Sequence, residues 1–110
     1  MQLYINSNNE RNIFVLIKII GVTESLLKKA ITIDEAEQII FSPYYSEILK
    51  EQEISNEIIE LIECGFEFED VESLLPDSLD IEIQNIRDKA LKILTLMKKP
   101  EVIERWLIEK

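Results

Sequence analysis

Leu79, Ile83, Ile86, Ala90, Ile93 and Met97 follow one another at intervals of 4, 3, 4, 3 and 4 residues. A helix gathers such positions into one apolar seam, here nearly three heptads long, whereas a strand would scatter them over both faces. A seam of that length needs a second apolar surface along it. The rest of the chain offers helices to supply one. Asn9 to about Lys29 carries Ile13, Leu16, Ile17, Ile20 and Leu27 at helical spacing, and Val15 and Ile19 extend the apolar surface around it. Gly21 falls inside this stretch, where a glycine costs about 1 kcal/mol relative to alanine, so a close helix crossing or a break is expected there.

Local signals divide the remainder. Thr32 and Glu35 form a capping box, opening a helix that ends near Phe41. Ser42-Pro43 supplies an N-cap and a first-turn proline for the next one. Ser55 is placed to cap a fourth helix, with Ile58, Ile59, Leu61 and Ile62 inward and Gly65 as its stop. A short helix over about Glu67–Leu75 is expected to turn Phe68, Val71, Leu74 and Leu75 inward and to end at Pro76. Asp77 or Ser78 then caps the seam helix. Pro100 opens a last helix with Val102, Ile103, Trp106 and Leu107 on its inner face. The expectation is an all-α single domain over residues 1–110, a compact bundle of about six helices. A competing local reading pairs Leu3–Ile5 as a short N-terminal strand with the β-branched run of residues 13–20.

The chain holds 22 acidic and 12 basic side chains, a net charge of -10. The imbalance is concentrated: residues 34–82 contain sixteen acidic groups and a single basic one, Lys50. Such a tract repels phosphate backbones, so no nucleic-acid ligand is expected, and a basic protein partner suits it better. The longest apolar stretch, Ile13 to Gly21, is far short of the ~20 residues of a membrane span. One cysteine, Cys64, and no basic-then-apolar leader point to a cytoplasmic protein. Cys64, flanked by Glu60, Glu63 and Glu67, is expected to be a buried structural thiol.

The order GVTESLLKKAITIDEAEQIIFSPYYSEIL, then G-F-E-F-E-D-V-E-S-L-L-P at residues 65–76, resembles a family of short uncharacterised bacterial proteins known only as a domain of unknown function. Gly21, Ser25-Leu26, the run of residues 31–37, Phe41-Ser42-Pro43 and the acids Glu67, Glu69 and Asp70 carry the resemblance, over about residues 21–82. Lys29-Ala30 stands where the pattern has a glycine. The resemblance implies a mostly helical bacterial cytoplasmic protein and no activity.

The absence of histidine removes the commonest general base and most zinc sites. The two glycines lie too far apart for a phosphate loop. No cofactor is expected. The favoured function is a non-enzymatic binding module, for example an immunity or antitoxin-like protein. It would dock a basic partner through residues 57–72, with Glu57, Glu60, Glu63, Glu67, Glu69 and Asp70 in the contact. The alternative is a divalent-metal or carboxylate acid/base site centred on Glu69 and Glu72, which share a helix face at i, i+3. Phe41, Tyr44 and Tyr45 are expected to fill a corner of the core. A homodimer could use Leu79, Ile83, Ile86 and Ile93, or Trp106.

Overall fold

Every regular element in the computed structural model, which describes residues 8–97, is helical. The order is α1 (Asn8–Leu27), α2 (Ile33–Ile39), α3 (Pro43–Glu51), α4 (Asn56–Cys64), α5 (Phe68–Leu74) and α6 (Leu79–Leu96). Short 3-10 turns at Gly65–Glu67 and Pro76–Ser78 join α4 to α5 and α5 to α6. Four helices of nine or more residues, α1, α3, α4 and α6, form the body, in place of about six comparable ones. The other two, α2 and α5, are seven-residue pieces. At two turns or less they owe their order to packing rather than to propensity.

The strand reading fails where it can be examined. Residues 13–20 lie within continuous α1, whose buried members recur at helical spacing: Ile13, Leu16, Ile19, Val22 and Leu26. Leu3–Ile5 and the helix expected after Pro100, with Trp106, lie outside the described residues. The inward stripe of α1 is rotated from the expected one, so Ile17 is exposed and Ile19 is fully buried. Thr23 sits inside this stripe. Its hydroxyl donates to the carbonyls of Ile19 and Ile20 at 2.8 and 3.0 Å, which satisfies a buried polar group within the helix itself.

The α6 seam finds its partner in α1. Glu24 meets Arg87 at 3.0 Å, and Lys29 lies 3.9 Å from Asp80, so the two long helices run antiparallel. Leu79, Ile83, Ile86 and Ala90 are buried in the chain's own core, together with Leu16, Ile19, Val22 and Leu26. Three of the side chains expected at a dimer seam are thus already covered within one chain. Ile93 is half-buried.

The caps follow their local chemistry. Thr32 Oγ1 accepts from the Glu35 N–H at 3.1 Å, and Glu35 Oε1 accepts from the Thr32 N–H at 2.9 Å. Ser42 and Pro43 open α3 as expected. Ser55 does occupy the N-cap of α4, but its side chain makes no capping bond. Its backbone N–H instead donates to Asn12 Oδ1 at 3.1 Å, tying α4 to α1. Ser78 likewise precedes α6 without a side-chain cap.

Two expectations about local packing are corrected, at Gly21 and at the aromatic corner, and one is refined, at Gly65. Gly21 marks neither a break nor a close crossing: α1 runs through it, and an added Cβ would meet nothing within 4 Å. Gly65 is the C-cap at which α4 ends, as expected, but not through a left-handed turn. Its φ is -75°, and the chain continues directly into the 3-10 turn and α5. The glycine is there because the Phe41 ring lies against it, and a Cβ would come within 2.7 Å of Cγ. Phe41 then meets Phe68 edge to face, with centroids 5.3 Å apart. Of the expected aromatic corner, only Phe41 is core. Tyr44 is exposed, and Tyr45 is half-buried beneath Lys18 Nζ, 5.8 Å from its ring centroid.

Candidate functional site

The acidic residues of α4 and α5 point in three directions. α4 buries Ile58, Ile59, Leu61 and Ile62, and this leaves Glu57 and Glu60 exposed on its solvent side. Those two carboxylates line a groove of about 590 Å³ between α4 and the C-terminal half of α6. Lys89 and Lys92 contribute from α6, and the apolar lining is Leu61, Ile93, Leu96 and Met97. Cys64 lines this groove as well and is exposed, contrary to the expectation of a buried thiol. The helical stripe that buries Leu61 and Ile62 turns Cys64 outward.

Glu63 faces the other way, toward α3. Its Oε2 lies 3.3 Å from Lys50 Nζ and 3.4 Å from the hydroxyl of buried Ser46. Glu63 therefore works as a strut between α3 and α4. Lys50, the lone cation of residues 34–82, is the group it engages.

Glu67, Glu69 and Asp70 begin α5 and are exposed. Glu69 and Glu72 line a second groove, of about 450 Å³, with Lys29, Thr32 and Asp34. Glu69 also reaches the field of α2. The carboxyl of Glu37 is held above its ordinary range first by partial burial, then by Glu69 and Asp34. The sequence reading missed Asp34 and Glu37, because only the fold brings α2 within the field of Glu69. The one-dimensional signal available was the acidic first turn of α2. Despite this gathering of charge, no group of three His, Cys, Asp or Glu among the described residues is arranged to hold a metal ion.

The apolar side of α5 is not where spacing puts it. Phe68 is buried and Val71 half-buried, but Leu74 and Leu75 are 77% and 62% exposed. α5 ends at Leu74, and the turn into Pro76 carries both leucines away from the core. Asp70 and Leu74, four residues apart, share a face of α5, so an exposed apolar pair stands beside the acids.

The family model described as DUF3969, protein of unknown function, matches residues 6–108. The chain belongs to that family. The match runs well beyond residues 21–82, where the resemblance is legible by eye, and takes in all six helices as well as the segment after Met97. No match was found among curated proteins or among solved structures. Among the described residues, no helix is long and apolar enough to cross a membrane.

Proposed function

We propose that the protein is a non-enzymatic binding module that docks a basic protein partner through its acidic middle third. One observation carries this reading. None of Glu57, Glu60, Glu67, Glu69 and Asp70 makes an ion pair with another described residue. Glu63, the sixth carboxylate, is the exception and has a structural task. Uncompensated charge of one sign speeds encounter with a surface of the opposite sign and rejects others. The exposed pair Leu74 and Leu75 beside Asp70 adds apolar surface that a partner could cover, with the acids around it. Like charges gathered around Glu37 oppose folding, and a cationic partner would relieve that repulsion. A cover for a basic enzyme, of the immunity or antitoxin kind, is the concrete form of this reading.

The test is capture from native lysate by the full chain and by its Glu67→Gln/Glu69→Gln/Asp70→Asn variant, at low and high salt, read by mass spectrometry. The expected result is one basic protein held by the parent chain at low salt and released by salt or by the substitutions. Retention of the same protein by the triple variant with undiminished affinity would remove these carboxylates from the contact and defeat the reading.

A further inference from the structure

The groove between α4 and α6 carries opposite charge on its two walls. Glu57 and Glu60 stand on the α4 side and Lys89 and Lys92 on the α6 side, with Leu61, Ile93 and Leu96 in its apolar lining. None of the four charges makes an ion pair with another described residue. We propose that this face is the contact between two copies of the chain, related by a two-fold axis running along the groove. Such an axis turns the second copy's walls over, so the acidic wall of each chain meets the basic wall of the other, once on each side of the axis. An axis across the groove would set acid against acid and base against base, so the charges select one arrangement of the pair.

Lys89, Lys92, Ile93 and Leu96 recur at i, i+3, i+4 and i+7, one stripe of α6. It lies beside the seam rather than within it. Leu79, Ile83, Ile86 and Ala90 are taken up by the chain's own core, whereas Ile93 is half-buried and Leu96 is 77% exposed. An apolar centre with charges at its rim is the usual anatomy of a contact between subunits. The leucine and isoleucine supply the area removed from water, and the charges fix the register. The same charges explain why a second copy fits here better than a basic protein does. Two chains at -10 repel one another over most of their surface. On the groove, two acids and two bases balance locally, so a second copy approaches without that repulsion. A basic protein would meet Lys89 and Lys92 there and is better served by Glu67, Glu69 and Asp70 of α5. Pairing through the groove thus takes Glu57 and Glu60 out of the partner surface, leaves the α5 acids open, and holds whatever binds them.

The experiment is analytical ultracentrifugation of the full chain over a dilution series, with circular dichroism to monitor the helices. Three variants accompany the parent: Glu57→Lys/Glu60→Lys, Lys89→Glu/Lys92→Glu, and the two combined. The parent should sediment at twice the chain mass at about 100 μM, where a micromolar contact is nearly complete, and dissociate on dilution. Each single-wall variant makes the groove all of one sign and should weaken pairing at least about ten-fold. The combined variant exchanges the two walls and should pair again. Glu57→Lys/Glu60→Lys lowers the net negative charge, so weaker pairing in that variant cannot come from general repulsion. Cys64 lines the same groove and is the sole thiol, so its alkylation by a neutral reagent should slow as the parent's concentration rises. If the combined variant loses its helical signal, Leu96→Glu takes its place and should be a single chain at every concentration. A parent that stays a single chain throughout would overturn the proposal. Pairing that is indifferent to the single-wall variants, or that leaves Cys64 alkylation unchanged, would overturn it as well by placing the contact elsewhere.

Discussion

Gly21 and Gly65 lack side chains for opposite reasons, and substitution separates them. At Gly21 the helix is continuous and the space beyond Cα is open, so alanine only removes backbone freedom from the unfolded chain. Gly21→Ala should stabilise the protein by about 1 kcal/mol, measured by urea unfolding. At Gly65 the same added methyl would strike the buried Phe41 ring, which is itself held by Phe68. Gly65→Ala should cost about 1–3 kcal/mol in the same measurement. Neither outcome is legible in the sequence, where both glycines sit in helical patterns and the contact that distinguishes them is 24 residues away at Phe41. Glu37 adds a prediction in pH. Its carboxyl is raised in the folded state by partial burial, Glu69 and Asp34. The neutral form is thus favoured by folding, a contribution fully present below the unfolded pKa and lost as pH rises through the folded one. Glu37→Gln should therefore raise the melting temperature at neutral pH, and the gain should vanish below about pH 4.

Helix ends, at the scale of the element, divide into those set by neighbours in sequence and those set across the fold. The Thr32–Glu35 box and the Ser42-Pro43 start need only adjacent residues and form as expected. The ends of α1 and α3 also close locally, but with unusual residues. Lys29 and Glu53 have φ of 61° and 63°. Around each, the N–H of the left-handed residue and that of the next one return to carbonyls of the last turn: Lys29 to Leu26 and Ala30 to Ser25, Glu53 to Lys50 and Ile54 to Leu49. Both are Schellman turns, and glycine is the residue that adopts them without strain. A glycine expected before Ile31 would have this physical basis, and Lys29 holds the turn without it. Lys29→Gly and Glu53→Gly should each stabilise by about 0.5–1 kcal/mol, read from chemical denaturation. By contrast, the start of α4 depends on Asn12 of α1, 43 positions away, which no local motif announces. The orientation of α5 is similar. Its spacing predicts four inward side chains, but a seven-residue helix has room to bury Phe68 fully and Val71 in part before the Pro76 turn carries Leu74 and Leu75 outward.

At the scale of the whole molecule, charge and core pull against each other. A net charge of -10, with sixteen acids in residues 34–82, repels itself in the compact state. Added sodium chloride should therefore raise the melting temperature by a few degrees through screening. Magnesium or calcium should give no saturable increment beyond it, since no described trio of ligands is placed to hold them. The apolar spacing of residues 79–97 determined on its own that this segment is a helix with one apolar face to cover, while that of residues 13–20 left a strand open. Periodicity is a property of the backbone repeat and survives without knowledge of partners. The capping residues determined the starts of α2 and α3 for the same local reason. Only the tertiary structure decided that α1 and α6 pair antiparallel and that Cys64 faces a groove. It also decided that Glu63 is committed to Lys50 and that Glu69 meets Glu37. Which carboxylates come together depends on how helices rotate and pack, and a linear charge run carries no record of that rotation. The acidity of the middle third was thus plain from sequence, while its division among two grooves and a strut was not.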